Sequence, residues 1–592
     1  MTEVADGVSR LSNDYRITLL HALLAWRGCR AADAEGRRQA ATTIGHLFST
    51  SDSLTKQTFL RTMIHQIDNL KLMNMGINAA TRHGLLLALA AVVVELHQDS
   101  SGAELFDAVI SPLLSTLERL TGDLHGRVSS DLTNVLEATA TLIEAFANMA
   151  NSCWTSQLLA AWSTTMMPVL ERCITATESA AVISTAAAAT RSVFSMLPQA
   201  QKLQFLESWT SGVEPARIAR GRLDSLSALF THITDDDDLS AHAPIISTYL
   251  ALIVSSSLPF ELRVAAMEGI ANILLSASRL DHKSQVAFQG AIASGLADYT
   301  SDQRGDVGSL LRFASIEALQ AAQQNARLDF DRLAFLPVVV RLSAEKLLKI
   351  RFSAWCYLAD NWPKQTDGVP DRRAFQHSAD VSTADYFKQI LGLLEVPELL
   401  DSLAIGLAAS IGGGTDDVSR AASSALVEYV TEPSATGRGR ELHALVAALS
   451  KYVELNASQD DRDIVPAIDT IRLLLEQCST HLLEEPLTTL SRIEAMLNEL
   501  QRLPVDIPKL EAIIRLWATL AEFDSCRLDM LDKCSRKLLH KWPRIRGTAA
   551  TCLFTIDHQV DIEEVDWNTA PAASKAKVVM LRKRLSITNR SA

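Results

Sequence analysis

The chain has 592 residues and a formal net charge of −13; 48% of its residues are hydrophobic and only 6% aromatic. A length of this order holds either three or four globular domains or one long repeat array. The acidic balance argues against a general nucleic-acid role. Alanine and leucine dominate, and no sustained period-two run is bounded by Asn-Gly or Asp-Gly turns, which argues against a β-rich fold.

Helical periodicity begins near Asp14 and persists almost to the end. One short pattern recurs along it: an arginine followed two residues later by a small side chain, on the first turn of an apolar helical stretch. The copies are Arg38/Ala40, Arg82/Gly84, Arg263/Ala265, Arg312/Ala314, Arg351/Ser353, Arg420/Ala422 and Arg546/Thr548. An aliphatic residue (Leu262, Leu311, Ile350 or Ile545) precedes four of them. Adjacent copies lie 44 (38 to 82), 49 (263 to 312) and 39 (312 to 351) residues apart. This is the length of a two-helix repeat. The expected fold class is all-α, a HEAT/armadillo-type helical-repeat superhelix (α-solenoid). Arg38, Arg263, Arg312, Arg351, Arg420 and Arg546 are read as structural repeat arginines. Each either bridges to an acid on the adjacent repeat, forming a ladder, or snorkels along the surface.

The apolar run 84–94 is about half a membrane span, and Arg82, His83 and Glu95 flank it closely. It reads as a buried helix, with no membrane span. Short polar breaks follow at 98–102 and at the aspartate run 235–238, which either precedes a helix or forms a solvated loop. The stretch 361–384, with Pro363, Gly368 and Pro370, is the longest candidate loop; such loops often lie on the binding face of a repeat array. Residues 433–440 form a second joint. Soft boundaries near 235 and 432 divide the chain into 1–235, 236–432 with the distinctive polar run described below, and 433–592. The last segment includes a basic tail of Lys575, Lys577, Arg582, Lys583, Arg584 and Arg590. That tail either contacts an acidic partner or ends a helix whose dipole it complements.

Motifs for chemistry are lacking. Gly412-Gly413-Gly414-Thr415-Asp416 has no Gly-Lys-Ser/Thr ending for a phosphate loop, and Gly437-Arg438-Gly439-Arg440 has no preceding strand. Both read as inter-helix turns. There is no His-Glu-x-x-His or Gly-x-Ser-x-Gly motif, and the fourteen histidines do not cluster at ligand spacing. No catalytic residue, cofactor or metal is expected. The eight cysteines include no Cys-x-x-Cys pair and read as buried thiols in a reducing compartment. The N-terminus lacks a cationic region followed by an apolar one.

The run Asp298-Tyr299-Thr300-Ser301-Asp302-Gln303-Arg304-Gly305-Asp306-Val307-Gly308-Ser309 is too polar and too specifically ordered for a generic turn. It resembles a signature of the tubulin-folding cofactor D family. Other blocks resemble the same family in the same order. These are Thr81-Arg82-His83-Gly84; Ala344-Glu345-Lys346 with Ile350-Arg351-Phe352; Gly392-Leu393-Leu394; Ser410-Ile411-Gly412-Gly413; Leu426-Val427-Glu428-Tyr429; and the run from Lys541-Trp542-Pro543-Arg544 to Ala550, with Asp566-Trp567 beyond it. Gly547 departs from the larger polar residue usual in the family. The resemblance corresponds to the C-terminal half of longer family members.

The resemblance implies a cytoplasmic, non-enzymatic scaffold of the microtubule cytoskeleton. Its implied partners are β-tubulin, tubulin-folding cofactors E and C and a small Arf-like GTPase; it would stimulate tubulin GTP hydrolysis only together with those cofactors. Asp298, Tyr299, Asp302, Arg304, Asp306, Arg82 and His83 are the candidate partner-binding residues. Arg304 and Asp306 alternatively hold a tight turn, with Asp306 or Ser309 capping the next helix. The rival readings are a generic HEAT-repeat adaptor and a repeat protein carrying its own GTPase-activating arginine.

Overall fold

The computed structural model describes residues 12–25, 28–68, 75–97, 130–150, 166–175, 179–211, 219–235, 240–328, 330–331, 333–362, 380–431, 439–457, 461–478, 486–502, 506–556, 566–568, 571–585 and 587. Among these residues there are 25 α-helices and no strand. The breaks read at 98–102 and 235–238, and the joint at 433–440, fall largely outside the described residues, as does 363–379 of the long candidate loop. Contacts divide the chain into two compact units, Met1–Phe330 and Asp331–Ala592.

The first unit holds α1 (Asn13–Leu24), α2 (Ala34–Ser49), α3 (Ser53–Asp68), α4 (Met75–His97), α5 (Ser130–Ala150), α6 (Met167–Thr175) and α7 (Ala180–Met196). It continues with α8 (Gln199–Thr210), α9 (Arg220–Asp235), α10 (Ala243–Val254), α11 (Phe260–Ser276), α12 (His282–Leu296) and α13 (Gly308–Gln324). Alternation sets the packing. Helices α2, α4, α5, α7, α9, α11 and α13 each lie against the next, and α8, α10 and α12 form a second row. Each pair therefore buries its apolar stripe against its neighbours, as repeat stacking requires. The small residues of the pattern sit in these seams: Ala40, Ala265 and Ala314 are buried.

Helix α4 is apolar nearly all round because it is covered on several sides, by α2, α3 and α5. It is long and apolar enough to cross a membrane, but 72% of its window Ala79–Leu96 is buried inside this unit, which accounts for its composition. Gly84 is required there: a Cβ would lie 2.0 Å from the Cys29 carbonyl oxygen.

The second unit holds α14 (Leu336–Ser343), α15 (Leu348–Asn361), α16 (Ala384–Leu391), α17 (Pro397–Gly413), α18 (Asp416–Thr431) and α19 (Gly439–Leu455). Then come α20 (Asp461–Cys478), α21 (Pro486–Arg502), α22 (Ile507–Leu520), α23 (Arg527–Lys537), α24 (Pro543–Ile556) and α25 (Pro571–Arg584). Here α14, α17, α20, α22 and α24 form one continuous row, with the pairs α16–α18 and α19–α21 alongside. Polar groups finish the short helix α14. Its last carbonyls have no partner within the helix; Tyr386 donates to Ser343 O at 2.5 Å and Ser410 to Ala344 O at 2.7 Å. Residues 412–416 end α17 and turn into α18, with Gly414 N–H bonded to Ser410 O, as an inter-helix turn should.

Candidate functional site

In a helix the Cα–Cβ bond tilts toward the N-terminus, so a long side chain in the first turn reaches back over the turn before it. Arg37, Arg351 and Arg546 each take the fourth position of α2, α15 and α24. Each is buried, and each uses Nη1 in the same way, donating to the two carbonyls six and five residues upstream. For Arg37 these are Ala31 O at 2.7 Å and Ala32 O at 2.9 Å. For Arg351 they are Glu345 O at 2.6 Å and Lys346 O at 3.2 Å. For Arg546 they are His540 O at 2.7 Å and Lys541 O at 3.1 Å. Nε then reaches further along the chain: Arg37 to His83 Nδ1 at 2.8 Å, Arg351 to Val381 O at 2.7 Å, and Arg546 to Trp567 O at 2.9 Å. The arginine thus pins its own turn and ties it to the following segment. Hydrogen bonds to a charged donor contribute about 1.5–3 kcal/mol each.

These three arginines follow neither of the two readings, ladder or surface snorkel: their acceptors are carbonyls and one imidazole, because helix ends offer unpaired carbonyls at close range. An acid enters at two other copies. Arg263, on α11, bonds to Val254 O at 2.8 Å and to the Asp298 carboxylate; Arg312, on α13, pairs with Asp306 at 2.7 Å. The pinning arginine of α2 is Arg37, not Arg38. One residue further round the helix, about 100°, Arg38 is partly exposed and pairs with Glu137 on α5 at 2.9 Å. Arg420 is 77% exposed and, among the described residues, reaches only Asp417 in its own first turn, at 3.7 Å. Arg82 is buried in α4 beside the fully buried His83.

The polar run 298–309 is organised by two of these arginines. Asp298 is buried; it accepts from Arg263 and from Thr300 N–H at 2.9 Å, while its carbonyl accepts from Arg312 Nη1. Burial alone would raise its carboxyl, but the Thr300 N–H and the Arg263 guanidinium outweigh that and hold it below the ordinary value. Tyr299 lies under the Arg312 guanidinium, 4.1 Å from ring centroid to Cζ. Asp306 accepts from Ser309 N–H at 3.2 Å, capping the start of α13, and pairs with Arg312. Asp302 and Gly305 exchange both backbone bonds at 3.0 Å, closing a tight turn. Gly305 has φ 106°, which favours glycine there. At the exposed tip Arg304 bonds to Asp302 at 2.9 Å and to Glu261 at 3.2 Å, and stacks 4.5 Å from Phe260. These ion pairs raise Arg304 and lower Asp302. Asp298, Asp306 and Arg312 are therefore engaged inside the fold. Asp302 and Arg304 stand on its surface, in a preset geometry.

Reading the sequence missed two polar clusters of the second unit. Arg341 pairs with Asp463 at 3.1 Å, and Asp463 also accepts from Tyr452 at 3.2 Å, joining α14, α19 and α20. Arg544 makes a two-pronged pair with Glu511 at 2.7 and 2.8 Å. Both bring together residues remote in sequence, so no local pattern marks them. Cys29, Cys173, Cys526, Cys534 and Cys552 are buried free thiols, and burial pushes Cys29 and Cys173 up to about 12. Among the described residues, no three His, Cys, Asp or Glu are placed to hold a metal ion.

Stacked helix pairs pinned by first-turn arginines define a helical-repeat protein of the HEAT/armadillo kind. Residues 334–503, within the second unit, match the family model described as "Tubulin folding cofactor D C terminal". That segment is similar to the tubulin-folding cofactor D family, and it includes the blocks at 344–352, 392–394, 410–413 and 426–429 that carry the resemblance. Among solved structures the chain is similar to UNC-45 from Drosophila melanogaster, at 12% identity over 94% of this chain and 78% of that one, with a TM-score of 0.30. It is also similar to the karyopherin Kap121p bound to the SUMO protease Ulp1p, at 14% identity over 97% of this chain and 60% of that one, with a TM-score of 0.32.

Proposed function

We propose that the chain is a tubulin-folding cofactor acting as a non-enzymatic scaffold: its stacked helices bind β-tubulin and assist assembly of the αβ-tubulin dimer. It works in the cytoplasm, at the microtubule cytoskeleton, with tubulin-folding cofactors E and C and a small Arf-like GTPase. The observation that carries this reading is the match of residues 334–503 to the cofactor D C-terminal family. The physics of the fold supports it, because rows of exposed helix faces offer the large area that gripping a folded protein demands. The surface pair Asp302 and Arg304, held rigidly by the bonds beneath, is preset for contact without ordering cost on binding. Groups that hydrolyse GTP belong to tubulin and to the other cofactors, and the scaffold positions them. Affinity capture from cell lysate tests the proposal. Tubulin and cofactor E are expected to co-purify with the chain. Capture of unrelated cargo with no tubulin contradicts it. Purified chain alone is expected to leave tubulin GTPase activity unchanged, and stimulation by the chain alone would argue for an arginine of its own in the reaction.

A further inference from the structure

A second polar site lies in the last part of the chain, mostly beyond the segment that the family match covers. Helices α21, α22 and α23, with the turn after α23, wall a pocket of about 610 Å³ whose lining includes Trp517, Lys533, Arg536, Lys537, His540 and Lys541. Two acids, Asp529 and Asp532, also face it, but both are neutralised within α23. Lys533 holds Asp529 at 2.8 Å and Arg536 holds Asp532 at 2.7 Å, and Arg582 of α25 adds a further bond to Asp532. That leaves Lys537 and Lys541 with no carboxylate partner among the described residues. Lys537 is half-buried, 5.8 Å from the Trp517 ring, and burial lowers its ammonium. Lys541 stands at the mouth, 5.5 Å from the ring of Trp542, which is 48% exposed.

Trp517 is fully buried and forms the apolar floor beneath Lys537. Two lysines without a carboxylate partner among the described residues, and an exposed tryptophan beside Lys541, together call for an occupant that brings oxygen anions and some apolar surface. Tryptophan is also the side chain most enriched where partner proteins bind strongly.

We propose that this pocket receives an acidic segment of a partner polypeptide, with side-chain carboxylates between Lys537 and Lys541 and an apolar side chain against Trp542. In a chain of net charge −13 the attraction is local and short-ranged, so it weakens with salt. The site does not depend on the tubulin reading, and its failure leaves that reading untouched.

Fluorescence anisotropy of labelled hexaglutamate on the full chain tests the proposal. Binding is expected to weaken on raising salt from about 50 to about 300 mM, and roughly tenfold in the double variant Lys537→Gln/Lys541→Gln. Lys541 is exposed, so Lys541→Glu tests the same point without disturbing the fold: it is expected to weaken binding severalfold at an unchanged melting temperature. Lys575→Gln/Lys583→Gln, on the exposed face of α25, is expected to bind like the parent. Equal binding by the parent and Lys541→Glu overturns the proposal, as does equal loss in the α25 control. Displacement of hexaglutamate by inorganic phosphate or a short single-stranded oligonucleotide more readily than by unlabelled hexaglutamate also overturns it, assigning the pocket to phosphate.

Discussion

Arg37 on α2 donates its Nε–H to Nδ1 of His83 on α4 across 2.8 Å, with both side chains buried. An imidazole nitrogen that accepts is unprotonated, so His83 is neutral and carries its proton on Nε2. The same arginine holds the carbonyls of Ala31 and Ala32. One buried cation therefore joins the turn before α2 to the middle of α4, and it requires His83 to stay uncharged.

Acid should undo this arrangement. Burial, and then the charges of Arg37 and Arg38, lower His83 from 6.5 to about 4. A histidine depressed in the folded state contributes stability that is complete above about pH 6.5 and is lost as pH falls towards 4. The shift corresponds to roughly 3 kcal/mol. His83→Gln keeps an acceptor that does not titrate. Thermal melts between pH 7.5 and 4.5 are expected to fall more steeply for the parent than for His83→Gln, and parallel slopes would contradict the account.

Arg351 is expected to resist conservative replacement. Its three carbonyl acceptors, Glu345, Lys346 and Val381, need a forked donor that points in two directions. Lysine supplies charge without that geometry. Arg351→Lys is expected to cost about 2 kcal/mol and Arg351→Ala about 3 kcal/mol or more in denaturant unfolding. Exposed Arg420, the weakest member of the sequence pattern, should cost under about 0.5 kcal/mol when changed to Ala.

That contrast shows what the sequence could and could not convey. Helix content, repeat length and the buried small residues follow from local pattern, and so does the Asp306 cap, which sits three residues before Ser309. The register of the first arginine did not follow, because Arg37 and Arg38 are adjacent and only packing decides which one turns inward. Arg420 carries the same local signature as Arg351 but, among the described residues, has only Asp417 within reach. The pocket at Trp517 draws its walls from three helices, so no stretch of sequence announces it.

Asp224 on α9 is expected to weaken the fold at neutral pH. It lies in a groove lined also by Arg191, Arg220 and Glu268. Burial raises it to about 6, with Arg220 opposing and Glu268 adding to the rise. A carboxyl raised in the folded state binds its proton more tightly there, so stability is gained as pH falls through 6. Asp224→Asn is expected to stabilise by roughly 1–3 kcal/mol at pH 7.5 and by almost nothing below about pH 4. A difference that does not change with pH would contradict this assignment.

Arg304 separates surface contact from turn maintenance. The turn is closed by the Asp302–Gly305 backbone pair and anchored by Asp298, Asp306 and Arg312, none of which needs the Arg304 charge. Arg304→Glu is expected to leave the melting temperature nearly unchanged while reducing tubulin capture. A loss of stability matching the loss of capture would assign Arg304 to the turn alone.

Hydrogen–deuterium exchange of the purified chain, with and without saturating tubulin, bears most directly on the scaffold claim. Slower exchange is expected on binding across several consecutive helix pairs, including the turn 298–309. Exchange unchanged throughout both units at saturating tubulin would contradict it.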